Sequence, residues 1–236
     1  MPWEKVNTIR PQPNDNSPQA QHTATFLNNI ISVASRILAS HPLNINRKKP
    51  VNNIHLWSPG YRPVLKPLSE KYPGTTGAVI SAVDVISGIG RSAGMDLIRV
   101  PGATGFIDTN YKGKALAAIE ALKDHNFVYL HVEAIDECGH IGDLELKIQA
   151  IEDFDSQIVG PVLSTLQNDN TAFSVLPDHP VPIKQRKHTR TPVPVAVCAP
   201  HISPDRVTEY SEKTVHGGSL GLMKGEELMR LVLNLT

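Results

Sequence analysis

Residues 126–140 read N-F-V-Y-L-H-V-E-A-I-D-E-C-G-H, and this stretch decides the fold. A β-branched and aromatic run, Phe127 to Val132, ends directly in acids and a histidine. A second such run, Ala172 to Leu176, ends in P-D-H-P at 177–180, and K-H-T follows at 187–189. Two apolar runs that each deliver carboxylates and imidazoles at their ends are the pattern of a site at the carboxyl edge of a parallel sheet. Asp136 and His140 stand four apart, Asp178 and His179 are adjacent, and His188 lies nearby in sequence. Carboxylate plus neutral imidazole suits Zn²⁺ or Mn²⁺ at a hydrolytic or phosphoryl-transfer centre. Five such groups exceed what one ion ordinarily takes, so two metals are expected.

Working outward, strand and helix patterns alternate from Val51 onward. Short strands are expected at 54–57, 77–80 and 97–100, and helices at 64–70, 83–93 and 111–122. Beyond the strand at 127–133 come a long helix over 143–166, strands at 172–176 and 193–198, and a closing helix over 219–233. Such alternation predicts an α/β fold, a mixed and mostly parallel sheet sandwiched by helices. Before it, apolar residues recur at helical spacing over 22–39, and N-I-N-R-K-K-P at 44–50 reads as a linker. Residues 1–20, rich in Pro and Asn, read as an irregular arm. The expected organisation is therefore 1–50 as an appended piece and 51–236 as the core.

The totals narrow the function classes. Lys plus Arg balance Asp plus Glu at 23 each, which speaks against a nucleic-acid or membrane partner held by bulk charge. No stretch reads as a membrane span or a signal peptide. The two cysteines, Cys138 and Cys198, have no C-x-x-C spacing and suit a reducing compartment, so a cytoplasmic protein is expected.

Each piece of the constellation has a plainer reading. Alone, Asp136 would cap a helix and His140 would sit on the surface. Asp178-His179, bracketed by Pro177 and Pro180, is either a rigid pair of ligands or a polar turn. His188 lies in the basic run K-Q-R-K-H-T-R, which alone reads as a solvated loop. Glu137 reads as solvated or as an outer partner of the site, and His131 as a packed or hydrogen-bonded core histidine. The loop Gly102–Gly105 with Asp108 could present N–H groups to an anion or could be a tight turn capped by Asp108. Its spacing is not that of a P-loop. Arg91, Lys112 and Lys114 read equally as phosphate contacts and as surface charges.

Taken together, A-I-D-E-C-G-H, L-P-D-H-P-V-P-I and K-H-T closely resemble the C-terminal half of the archaeal-type cofactor-independent phosphoglycerate mutases, in the alkaline phosphatase superfamily. G-A-V-I-S-A-V-D-V-I-S-G-I-G, P-G-A-T-G-F-I-D-T-N-Y-K-G-K-A and H-V-E-A also match, and the likeness runs from about residue 24 to the end. The resemblance implies an alkaline phosphatase-like core over 51–236 and the tail of an inserted cap domain with its linker over 1–50. It implies two divalent ions (Mn²⁺, Mg²⁺ or Zn²⁺), with Asp136, His140 and His188 at one and Asp178 and His179 at the other. No 2,3-bisphosphoglycerate is needed. By the same resemblance, a metal-bound serine would take the phosphoryl group of 3- or 2-phosphoglycerate and return it to the other hydroxyl through phosphoserine, a step of glycolysis and gluconeogenesis.

That serine and one further aspartate belong to the family's N-terminal region, and nothing in these 236 residues resembles either motif. The nucleophile and the first strand of the sheet are thus expected outside this chain. The chain is expected to be inactive alone and to self-associate through exposed core unless another segment covers it. Ile135 and Val181 replace a usual proline and threonine, and Ser58-Pro59-Gly60 replaces a different turn. These departures are similar to a bacterial branch proposed to act on homoserine. A phosphotransferase or phosphatase for another phosphorylated substrate is therefore the second expectation, and a non-catalytic metal-binding fragment the third.

Overall fold

The computed structural model describes residues 10–56, 60–167 and 170–235. The chain divides into two compact units, 1–63 and 64–236. In the first, α1 (Pro18–Ser40) is followed by the one-turn α2 (Pro42–Ile45). The helix begins a turn earlier than its apolar spacing predicts, because Ser17 and Pro18 form a start signal. Ser17 Oγ accepts from Ala20 N–H, and Pro18 stands in the first turn, where an N–H is not needed. Pro42 then stops α1. Asn44, buried, ties the turn back by donating to Leu38 O and Val51 O and accepting from Val51 N–H. The strand expected at 54–57 is absent over residues 54–56, while Trp57, Ser58 and Pro59 lie outside the described residues.

The second unit carries the sheet. After the single turn of α3 (Leu68–Lys71), β1 (Gly77–Ile80) lies at the centre with all four residues buried. It pairs in parallel with β2 (Asp96–Ile98) on one edge and with β3 (Phe127–Leu130) on the other. The connections run through α4 (Asp84–Ser92) and α5 (Tyr111–Ala121), as parallel strands require. Gly90 of α4 packs directly on β1, since a Cβ there would lie 2.5 Å from Val79 Cγ1.

From β3 the chain enters α6 (Ala134–Ile141), which Gly142 ends with φ 79°. Asp143 then caps α7 (Leu144–Phe154), its Oδ1 accepting from Leu146 N–H. A π-helical turn (Asp155–Val159) joins α7 to α8 (Gly160–Leu166). The single long helix read from the sequence is thus present with one wide turn. It falls immediately before Pro161, whose ring and missing N–H disturb the regular ladder. Small side chains, Ala115, Ala134, Cys138 and Ala150, let these helices close on one core with Tyr111 and Ile158. Burial raises the Tyr111 phenol to about 12.

The last two strands depart from expectation. β4 (Phe173–Val175) and β5 (Ala196–Cys198) form a separate antiparallel pair, with Phe173 opposite Cys198, and do not extend the parallel sheet. The closing helix α9 (Gly225–Val232) is shorter than predicted, because Gly221 at φ 65° holds the preceding residues in a turn. The fold class stands: an α/β unit with a parallel sheet flanked by helices. No described helix is long and apolar enough to cross a membrane.

Candidate metal centre

β3 and α6 meet with only His131–Glu133 between them, so α6 starts at the carboxyl edge of the sheet. One helical turn then places Asp136 and His140 on the same face. His140 Nε2 lies 3.2 Å from Asp136 Oδ2. His188 Nε2 lies 3.4 Å from Asp136 Oδ1 and 3.0 Å from His140 Nε2. From the loop after β4, His179 brings Nδ1 to 3.7 Å from Asp136 Oδ1 and stacks on His188 with ring centroids 3.7 Å apart. Asp178 Oδ2 is 3.2 Å from His179 Nε2.

All five residues singled out from the sequence therefore converge, with Asp136 at the centre. Their grouping is tighter than a division into two separate sets. Asp136, His179 and His188 each offer a donor atom within 4.8 Å of the others. The distances alone leave two atoms without a hydrogen-bond partner, although both are buried: Asp136 Oδ1 and His179 Nδ1. An unmatched buried polar atom ordinarily costs about 1–3 kcal/mol. A carboxylate oxygen ringed by imidazole nitrogens is a donor set that fits a divalent cation.

Backbone features hold these pieces together. Gly139, on α6 between the two ligand positions, admits the loop bearing Asp178 and His179. A Cβ there would lie 2.8 Å from Val181 Cγ1 and 2.9 Å from Val181 O. Lys147 of α7 donates to the same Val181 carbonyl at 2.8 Å, and burial lowers its pKa. His140 Nδ1 lies 3.0 Å from Arg186 O, in the loop that carries His188.

Two acids and a histidine form the flank. Glu133, with Asp136 and Glu137, makes a second acidic group, and Glu133 was not singled out in the sequence. Its signal was available, since it stands at the same strand end as Asp136. Burial raises its pKa, with the charges of Asp136 and Asp178 adding to the effect. His131 bonds to Ser81 Oγ at 3.1 Å through Nδ1, and its Nε2 lies 3.3 Å from Glu133 Oε2. Burial lowers its pKa, so the reading of a hydrogen-bonded core histidine describes it well.

The weaker candidates are placed differently. Lys114 is 1% exposed, and its ammonium donates to His131 O at 3.2 Å. Burial lowers its pKa against the pull of Glu133. It is neither a surface charge nor an accessible phosphate contact, but a strut under the strand end. Its position on the inner face of α5, between Ala115 and Tyr111, is the cause. Arg91 is exposed in the last turn of α4, the end farther from the strand tips that lead into that helix. The loop before α5 is satisfied internally: Thr104 N–H donates to Thr109 Oγ1, and Thr104 Oγ1 donates to Asp108. The cap of α5 is Asn110, not Asp108, with Gly113 N–H donating to its Oδ1 at 2.8 Å.

A groove of about 1580 Å³ runs beside the centre. Every residue from Phe127 to Glu133 lines one side and every residue from Thr171 to Pro182 the other. Ser174 Oγ is buried there without a hydrogen-bond partner.

Known proteins resemble this chain over most of its length. The chain is 48% identical over 215 residues to the 2,3-bisphosphoglycerate-independent phosphoglycerate mutase of Methanosarcina acetivorans, covering 88% of this chain and 54% of that protein. A solved protein from Pyrococcus horikoshii superposes with a TM-score of 0.70 at 28% identity, covering 73% of this chain and 52% of that one. The cofactor-independent phosphoglycerate mutase of Thermoplasma acidophilum superposes with a TM-score of 0.57 at 25% identity, covering 94% and 54%. The chain spans about half the length of the curated relatives it matches. The family model of the Metalloenzyme superfamily matches residues 21–235, and the chain belongs to that superfamily.

Proposed function

We propose that this chain is the metal-holding part of a phosphoglycerate mutase that interconverts 3- and 2-phosphoglycerate without 2,3-bisphosphoglycerate. The observation that carries this reading is the buried, unpartnered Asp136 Oδ1 facing imidazole nitrogens from two other segments. In this reading Asp136, His140 and His188 hold one divalent ion, and Asp178 and His179 contribute to a second. Bound there, the ions would supply positive charge that favours ionisation of an acceptor hydroxyl and offsets charge on the transferred phosphoryl group.

The chain's own residues prepare that chemistry. His140 donates through Nδ1 to a carbonyl, which turns Nε2 toward Asp136 and His188 as the nitrogen available to a cation. Glu133, its pKa raised, holds a proton more readily than a solvated carboxylate does, and it stands beside the cluster. We place the serine that accepts the phosphoryl group outside these 236 residues. The groove supports this placement, because among the described residues β3 pairs only with β1 and β4 only with β5, leaving one edge of each open along it. A segment carrying the serine would dock there, and the chain alone would not turn over substrate. A small phosphorylated substrate and a cytoplasmic location belong to the same reading.

The test is a calorimetric titration of the purified chain with Mn²⁺ and Zn²⁺, beside an enolase-coupled mutase assay with added metal and with chelator. Metal binding without turnover is expected. Adding the remaining portion of a full-length relative should restore metal-dependent turnover. A folded chain that binds neither ion would overturn the metal assignment. Turnover by the chain alone would overturn the placement of the nucleophile, and turnover of another phosphorylated substrate would move the reading to a related branch.

A further inference from the structure

Arg186 stands in the basic run that the sequence presents as a solvated loop, yet its backbone is at φ 52°. Few residues other than Gly, Asn and Asp adopt that region, because the Cβ crowds the following carbonyl. The surrounding bonds show what imposes it. Gln185 N–H and Arg186 N–H both donate to Pro182 O at 2.9 Å, closing a tight turn. Thr189 N–H donates to Pro180 O at 3.0 Å, closing the wider loop around it. At the end of the turn the left-handed residue redirects the chain, and its carbonyl meets His140 Nδ1 at 3.0 Å.

A carbonyl oxygen only accepts, so the ring nitrogen facing it must carry the hydrogen. The carbonyl therefore holds a hydrogen on Nδ1, and Nε2, which faces Asp136 Oδ2 and His188 Nε2, is the nitrogen whose hydrogen a bound cation would displace. The same residue grips α6 a second time. Gly142, where α6 ends, has the Arg186 guanidinium over it, so close that a Cβ would lie 2.7 Å from Arg186 Cζ. Arg186 therefore ties the loop of His188 to the helix of Asp136 and His140 through its carbonyl and through its side chain.

We infer that Arg186 is a positioning residue for the metal centre, acting through its left-handed backbone, which presents a carbonyl that fixes the His140 tautomer. The charge of its side chain is incidental to this role. The inference rests on the reading of His140 as a ligand for its effect on metal affinity, but the hydrogen on Nδ1 is held by the Arg186 carbonyl with or without a metal. Backbone carbonyls behind ligand imidazoles are a general device, and losing such an outer partner costs about 10–100-fold in metal affinity.

The test compares Arg186→Gly with Arg186→Val. Glycine keeps the carbonyl and adopts positive φ freely, whereas valine keeps the carbonyl but resists that conformation. Two readouts are taken on the folded chain. One is the His140 ring tautomer, from long-range proton–nitrogen NMR of the metal-free protein. The other is Zn²⁺ affinity by calorimetry, with metal-free melting temperature as a folding control.

The wild type and Arg186→Gly should both show hydrogen on Nδ1, with Zn²⁺ affinities within about three-fold. Arg186→Val should lose the single tautomer and bind Zn²⁺ about 10–100-fold more weakly. A wild type without hydrogen on Nδ1 would overturn the inference. So would equal weakening by both variants, which would assign the role to the side chain. A wild type that binds no Zn²⁺ yet keeps hydrogen on Nδ1, with Arg186→Val losing it, would support the positioning role while overturning the metal reading. Should Arg186→Val not fold, Arg186→Asn takes its place. Asparagine tolerates positive φ, so it should behave as glycine does, and an Nδ1 without hydrogen there would overturn the inference.

Discussion

The two sides of the candidate metal centre are built differently. Asp136 and His140 stand on a helix, and the His140 ring is braced from behind by Arg186 O. Asp178 and His179 stand in a loop between two prolines, and their bonds turn inward. Asp178 Oδ1 accepts from the backbone N–H of His179, and its Oδ2 faces the ring of that same residue. The side chain of Asp136 is 17% exposed and that of Asp178 is 51%. A helix fixes ligand geometry through its own ladder, whereas a loop needs outside contacts to do so. Here those contacts are the Gly139–Val181 approach and the bond from Lys147 to Val181 O. The helical side is thus held from two directions, while the loop side is anchored on one flank and open toward the groove.

The largest effect that would break this contrast is at its centre. Asp136→Asn removes the charge that His140, His179 and His188 share. Cation affinity should fall by more than about 100-fold, since a ligand charge is lost outright. Metal-free stability should move the other way, rising by about 1 kcal/mol. The buried Oδ1 without a hydrogen-bond partner loses its share of the charge, and the repulsion that helps raise the Glu133 pKa is relieved. Chemical unfolding with chelator and with Zn²⁺ would show both changes. A variant that is less stable without metal would mean that Asp136 is a structural acceptor rather than a ligand in waiting.

The next largest effect concerns how the two sides are joined. Gly139→Ala gains about 1 kcal/mol of helix propensity. It also places a Cβ within 3.0 Å of three Val181 atoms, one of them a backbone oxygen. Backbone cannot swing aside as a side-chain tip can, and overpacking of this kind costs about 1–3 kcal/mol. The loss should win, lowering the melting temperature and loosening the loop that bears Asp178 and His179. An unchanged melting temperature would show that the loop is not seated on α6.

These contrasts mark what the sequence could and could not reveal. The ends of β1 and α5 lie within a residue of their predicted positions, because four buried residues in a row and a capped, periodic segment are local signals. Asp136, His140, Asp178 and His179 stood out because they follow apolar runs, whereas His188, in a basic run, stood out only through its place shortly before a strand. Which of them share space was not legible. That His179 and His188 stack, or that β4 pairs with β5 apart from the parallel sheet, depends on contacts between distant segments. Lys114 shows the limit most plainly. A lysine flanked by Gly113 and Ala115 looks like surface, and only the packing of α5 against the strand ends turns it inward. Arg186 was hidden in a different way, since its importance lies in its backbone and not in its side chain.

A smaller effect sharpens the difference between the two sides. Asp178→Asn should leave metal-free stability within about 0.5 kcal/mol, as expected for a half-exposed residue whose side chain bonds to its neighbour His179. It should weaken one class of cation site by about ten-fold and leave the other unchanged. Calorimetry would then show one cation retained at full affinity. Equal weakening of both sites would mean that the five groups act as a single centre, as the 4.8 Å cluster of Asp136, His179 and His188 would allow.

The smallest predicted effect lies away from the centre and serves as its control. His125, just before β3, places Nε2 3.0 Å from Asp96 Oδ2 of β2, while its Nδ1 donates to Ala121 O. The bond to Asp96 raises the histidine pKa above its usual 6.5, with burial opposing. A histidine whose folded pKa is raised stabilises the fold fully below its unfolded pKa, and that contribution is lost as pH rises through the folded value. Asp96 is largely exposed, so solvent screens the pair and holds its worth to a few tenths of a kcal/mol. Asp96→Asn should therefore lower unfolding free energy slightly at pH 5.5 and not at pH 9. High salt should shrink the difference. Because the pair shares no residue with the metal centre, chelator and Zn²⁺ should leave that difference unchanged. A difference that follows metal instead of pH would show that the far edge of the sheet and the metal centre are coupled.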